Sequence, residues 1–209
     1  MMDSDKFHEL TWETGFTEEA RSAMAQASGE QINFLGRNFN WDFDPTKFLK
    51  EVCRHPKCAL STAVYIFSLG QPSYFRDGKF SSSYQAQYEF LDWLVCRINN
   101  NEIHAFTNEF PASIEMAGTL QRVLKFYIQE KQSDLVGSID EKGPNWIFNP
   151  DIVNEESLGI NIAIQQEKKR MDEIRNTNGH PLNVNGNIRS ILGDFFEEVE
   201  KMKSERKDK

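Results

Sequence analysis

The sequence predicts an all-α fold, an irregular multi-helix bundle, and three observations carry that expectation. Apolar residues recur at helical spacing, as in Tyr84, Tyr88, Leu91, Val95 and Ile98, and again in Ile188, Ile191, Leu192, Phe195, Val199 and Met202. Strict alternation of apolar and polar residues is nowhere long enough to specify a sheet, so one or two short strands at most are expected, in 102–110 or 145–149. No segment repeats at a fixed period, which argues against a solenoid of stacked units.

At 209 residues the chain can bury a sizeable core without disulfides or metal. We expect one helical domain over 1–209. Within it, 1–29 is an N-terminal helical extension, 30–133 the core, 134–159 an acidic docking loop and 160–209 a pair of C-terminal helices.

Residues 3–14 and 17–28 read as helices, the second opened by Thr17, with Glu18 and Glu19 suited to a positive helix N-terminus. Gly29 is expected to end it. A short helix over 30–38 carries Ile32 and Leu35, with Phe34 alongside. The stretch from Phe39 to Gly70 organises the rest. Asp44-Pro45 supplies an acidic N-cap and a proline at the first helical position. Phe48, Leu49, Val52 and Cys53 then form one buried face, and Pro56 pushes His55 out of helical geometry. A second helix follows, with Leu60, Ala63, Val64 and Phe67 on one face and Gly70 placed as a terminator. The short connection predicts an antiparallel or steeply crossed hairpin.

Gln71 to Ser83 is a loop by its proline, Asp-Gly and triple serine. The Tyr84–Ile98 helix stops at Asn99-Asn100-Asn101, and 102–113 is irregular. Ile114 to Glu130 is helical, with Ala117, Leu120, Leu124, Tyr127 and Ile128 inward. Residues 134–159 form a connector in which Trp146-Ile147-Phe148 serves as an apolar plug. A largely polar helix covers 160–175, Asn178-Gly179-His180-Pro181 is a turn, and a last helix spans about 186–205.

The net charge of −8 is uneven. Residues 31–80 hold seven bases against four acids, whereas residues 134–160 hold six acids and one base. Acidic surface repels the phosphate backbone, which argues against nucleic acid and for a basic protein partner. There is no apolar run of the roughly eighteen residues a membrane span needs, so no membrane partner is expected. Three cysteines and no secretory leader point to a reduced, cytoplasmic protein.

Chemistry-bearing clusters are few. Cys53, His55 and Cys58 have the ligand types of a zinc site, but no second pair completes a tetrahedral set, and Cys53 lies in the apolar register of its helix. Asp42 and Asp44 resemble paired carboxylates, although Asp44 already has a role as a cap. Cys96 is expected in the core, and Ser61 and Thr62 near a helix start are expected to cap it. His8, His104 and His180 are isolated. The sequence contains no nucleophile elbow, phosphate loop or dinucleotide fingerprint, so neither a cofactor nor an active site is expected. An aromatic anchor rimmed by carboxylates suits a protein-binding surface. Trp146 with Asp140, Glu141, Asp151, Glu155 and Glu156 is the candidate.

The run Asn40-Trp41-Asp42, Pro45, His55-Pro56-Lys57-Cys58, Thr62-Ala63 and Ile66-Phe67 resembles the NWD…P…HPxC…TA pattern of domain-of-unknown-function family 4274. The likeness reaches, less strongly, to about residue 113. It departs after the cysteine, where this chain has Ala59-Leu60-Ser61. The resemblance implies a bacterial cytoplasmic protein akin to the immunity proteins of polymorphic toxin systems, and it brings no catalytic residue. The expected function is therefore neutralisation of a cognate toxin by direct occlusion. The alternatives are an adaptor docking through its C-terminal helix, and an enzyme using His55 with Cys58 or Asp42.

Overall fold

Seven helices are found among the described residues, which are Phe7, 17–39, 41, 45–128, 144 and 146–178 of the computed structural model. They are α1 (Glu18–Ala25), α2 (Gly29–Asn38), α3 (Pro45–Arg54), α4 (Leu60–Leu69), α5 (Gln85–Asn99), α6 (Ile114–Tyr127) and α7 (Ile160–Asn178). The expected all-α bundle is what forms. The one β feature among these residues is an isolated parallel bridge between Ile128 and Phe148, so the strand expected in 102–110 is absent. The helix expected at 186–205, the turn beyond Asn178 and the cap at Asp44 lie outside the described residues, as does all of 3–14 except the buried, helical Phe7.

The first helix boundaries follow from capping. Thr17 Oγ1 accepts from the Ala20 amide at 3.1 Å, opening α1. Gly29 does not close α1, which already ends at Ala25; it is the first residue of α2. Ser28 caps that helix, its hydroxyl accepting from the Gln31 amide at 3.2 Å while Gln31 Oε1 accepts from the Ser28 amide at 2.9 Å. This reciprocal pair wins over the glycine as a stop signal because it satisfies two orphan amides at once. A Cβ on Gly29 would lie 2.0 Å from the Phe110 ring, so the glycine is there for space.

The hydrophobic pattern around α4 explains its position. Leu60 through Val64, Ile66 and Phe67 are all buried, so the helix is covered on nearly every side. It packs against α2, α5 and α6, and α6 in turn packs against α7. The expected α3–α4 hairpin does not form as a packed pair: α3 lies mainly against α2 and α5. Both helices of that stretch are held by third parties instead.

One of those third parties is α2. Asn33, 2 % exposed, donates from Nδ2 to the carbonyls of Gly29 (2.7 Å) and Lys57 (2.9 Å) and accepts from the Ala59 amide at 2.8 Å. The side chain thus completes the backbone bonding of the His55–Ala59 turn from 24 to 26 residues away. One turn later Arg37 donates from Nε to Thr62 Oγ1 (2.9 Å) and from Nη2 to the Phe110 carbonyl (3.2 Å). Ser61 and Thr62 therefore do not cap α4, whose N-cap is Ala59 without a side-chain bond; they are buried against Arg37. Leaving water holds the Arg37 pKa below its ordinary value.

Gly70 ends α4 as expected, but in right-handed geometry (φ −69°), and the left-handed turn falls on Gln71 (φ 50°). A Cβ at Gly70 would come within 2.6 Å of Leu91 Cδ2, so close approach of α5 explains the glycine. Cys96 is exposed, not in the core, because it faces away from the Leu91, Leu94, Val95 and Ile98 stripe. Cys53 and Cys58 are buried thiols, and burial pushes Cys53 well above its ordinary pKa.

Two mid-helix glycines give opposite expectations. At Gly36 a Cβ would stand 2.9 Å from Thr62 Cγ2 and 3.0 Å from Ile66 and Val52, and Thr62 is pinned by Arg37. Gly36→Ala should therefore destabilise by about 1–2 kcal/mol despite its helix propensity. Gly118→Ala, with nothing within 4 Å, should stabilise by up to about 1 kcal/mol. Denaturant melts of the two variants check the signs. Asn33→Ala strands a buried amide and a carbonyl and should cost about 2–4 kcal/mol. Asn33→Asp should cost more, since it adds a buried charge and loses both donors.

Candidate functional site

The connector after α6 becomes an ordered structure through a second asparagine. Asn99, at the end of α5, donates from Nδ2 to the Ile147 carbonyl at 2.7 Å and accepts from the Asn149 amide at 3.0 Å. The Phe148 amide between them donates to the Tyr127 carbonyl at 2.6 Å. Residues 147–149 are thereby held on both sides. Phe148 is fully buried and stacks edge-on to Phe67 of α4 at 5.0 Å. The predicted plug forms.

Trp146 shares that fate. It is 5 % exposed, its Nε1 donates to Asp92 Oδ1 at 3.1 Å, and its ring packs at 5.7 Å from Phe67. Its surface is spent inside the protein rather than offered to a partner. It is also the inner end of an aromatic series running outward through Tyr88 (5.5 Å), Phe75 (5.9 Å) and Phe80 to the exposed Tyr74–Tyr84 pair, whose rings are 5.1 Å apart. The segment read as a plain loop, 71–83, holds a 3-10 turn at Pro72–Phe75 and runs into a second at Ser82–Tyr84, so Tyr84 precedes the helix it was expected to open and is exposed. Five aromatic residues within fifteen positions, Tyr74 to Tyr88, were the signal in the sequence.

Beyond the plug the chain turns back on itself in a braced loop. The Asp151 amide donates to Asn149 Oδ1 at 2.9 Å. Asn154 and Ser157 bond reciprocally, the Asn154 amide to Ser157 Oγ at 3.0 Å and the Ser157 amide to Asn154 Oδ1 at 2.9 Å. Asn154 Nδ2 donates to the Pro150 carbonyl at 3.1 Å. Gly159 then takes a left-handed conformation (φ 66°) and passes the chain into α7. The outcome is that Asp151, Glu155 and Glu156 project as exposed carboxylates from a loop braced by these bonds. Of the other two predicted members, Asp140 and Glu141 lie outside the described residues.

The remaining candidates fall apart as chemical centres. His55 Nδ1 accepts from the Lys57 amide at 3.2 Å and shapes the turn, whereas Cys58 is buried with its Sγ 3.8 Å from the Ala59 carbonyl. The Cys58 amide donates to the His55 carbonyl at 2.9 Å, a backbone bond of the turn that does not bring imidazole and thiol together. His104 is exposed against Phe106, and its carbonyl accepts from the Leu60 amide at 2.8 Å. Asp42, Asp44, His8 and His180 lie outside the described residues. Among the described residues no three histidine, cysteine or acidic side chains are grouped to hold a metal ion, and no helix is long and apolar enough to cross a membrane.

No protein-family model, curated protein or solved structure matches this chain. The arrangement itself defines a hydrogen-bonded acidic loop on a helical scaffold.

Burial, and then the charge of Lys57, hold the His55 imidazole below its ordinary pKa of 6.5. The unfolded chain therefore takes up the proton first as the solution is acidified. The contribution of His55 is complete above about pH 6.5 and is lost as pH falls through its folded-state value. His55→Gln should flatten that part of the stability profile, which melts recorded from neutral pH downward will check.

Proposed function

We propose that the protein is an immunity-type binding protein that neutralises a cognate bacterial toxin by direct stoichiometric occlusion. The observation that carries this reading is the braced loop, with Asp151, Glu155 and Glu156 exposed on a backbone fixed by Asn99, Asn149 and Asn154. A pre-organised acidic loop needs little ordering on binding and attracts a basic surface from a distance. Toxins that act on nucleic acids need such basic clefts, which an acidic partner can cover. The likeness of the Asn40–Phe67 stretch to domain-of-unknown-function family 4274 points the same way, and so does a net charge of −8. A reduced, cytoplasmic setting belongs to the same proposal.

The test is co-expression with the product of the adjacent reading frame, followed by binding kinetics. A one-to-one complex is expected, with association that slows as salt rises. Reversing Asp151, Glu155 and Glu156 to lysine should lower the association rate about tenfold or more at low salt and change dissociation far less. An unaltered association rate would remove the loop from the interface, and failure to form any complex would remove the function.

A further inference from the structure

Opposite in sign to the acidic loop, a second surface gathers three cations around one indole. Lys50 Nζ lies 5.0 Å from the centre of the Trp93 ring, the Arg97 guanidinium 5.3 Å and the Arg54 guanidinium 5.5 Å. The ring is half-buried, braced by Phe90 stacked at 5.9 Å and 30°. Lys50 and Arg54 lie on one face of α3, and Lys47 precedes Lys50 by one turn of that face.

A single cation over an indole is stabilising, but three charges that share one centre lie no more than about 11 Å from one another, close to the screening length of physiological salt. Their mutual repulsion is only partly offset within the chain. Arg54 pairs with Glu51 at 2.8 Å and Arg97 with Glu102 at 3.1 Å. Two other acids of α5 near Trp93 in sequence are engaged elsewhere: Glu89 accepts from Gln85 and Asp92 from Trp146. Among the described residues no carboxylate lies within salt-bridge distance of Lys50, and nearly half of the Arg54 side chain is open to water. The patch is a set of charges held in place by an aromatic platform, with Lys50 the one of the three that has no ion pair among the described residues.

We propose that this face docks an acidic peptide segment of a partner protein, its carboxylates meeting Lys50 and Arg54 and its apolar side chains resting on the open edge of Trp93. The proposal is independent of the acidic loop and of the toxin reading. A polypeptide is favoured over a nucleic acid because the patch is one ring wide and is bordered by Glu51, Glu89 and Glu102, which would repel a continuous run of phosphates.

The experiment titrates the full chain, labelled with nitrogen-15, with an oligoglutamate peptide and with polyuridylate, and follows the Trp93 indole resonance, assigned through Trp93→Phe. Oligoglutamate is expected to shift that resonance with a strongly salt-dependent affinity. The double variant Lys50→Ala/Arg54→Ala should weaken binding at least tenfold. Glu51→Gln, which removes the internal competitor for Arg54 and leaves the aromatic packing intact, should tighten it about two- to fivefold. No shift of the Trp93 resonance at millimolar peptide would overturn the proposal, as would an unchanged affinity in Glu51→Gln together with the double variant. Tighter binding of polyuridylate than of oligoglutamate would overturn it in favour of a nucleic-acid face.

Discussion

One amide side chain sets the geometry on which the rest depends. Asn33 sits on α2, yet its three hydrogen bonds go to the backbone of its own first turn and to both sides of the His55–Ala59 turn. An α-helix can begin at Leu60 only if the chain leaving α3 is brought round at the right height, and the buried groups of that turn must find partners. Asn33 provides them without a charge. Because Asn33, Cys58 and Ala59 are buried at the inner side of that turn, an unmade bond there would cost far more than an exposed one would contribute.

The consequences spread through α4. With its start fixed by Asn33 and its first turn tied by Arg37, α4 is directed into the centre of the bundle, where Phe67 meets Tyr127, Trp146 and Phe148 edge-on at 5.1, 5.7 and 5.0 Å. Those contacts dock the connector, and Asn99 then fixes its backbone. The acidic loop is thus the last member of a series that begins at Asn33. Its position is set by the core, and its shape by the local bonds of Asn149, Asn154 and Ser157. The two charged faces differ in kind: one is a loop of carboxylates on a braced backbone, the other a ring of cations on an indole.

Much of the fold was legible because helical periodicity reports burial directly. Phe48, Leu49, Val52 and Cys53 are buried as their spacing requires, and so are Leu91, Val95 and Ile98. The plug at Trp146–Phe148 was legible because an apolar triplet in an acidic stretch has nowhere else to go. What could not be read was tertiary. Gly29 looked like a stop, but the Ser28–Gln31 pair decided the matter, and Phe110, distant in sequence, supplied the need for glycine. Ser61 and Thr62 looked like caps until Arg37 claimed them. Asn33 gave no signal and Asn99 signalled only a helix end, since an asparagine's tertiary bonds cannot be read until the turn it meets is known. The same blindness applied to Trp93, whose three cations come from two helices.

Native-state hydrogen exchange tests the account most directly. The Ala59 amide, which donates to Asn33, and the Leu60 amide, which donates to the His104 carbonyl, lie at the junction of a surface turn and the most buried helix. If Asn33 organises the fold, both exchange only through global unfolding, with the same denaturant dependence as the middle of α4. If they exchange through local opening, at the rate of exposed turns such as 76–79, the organising role assigned to Asn33 is wrong.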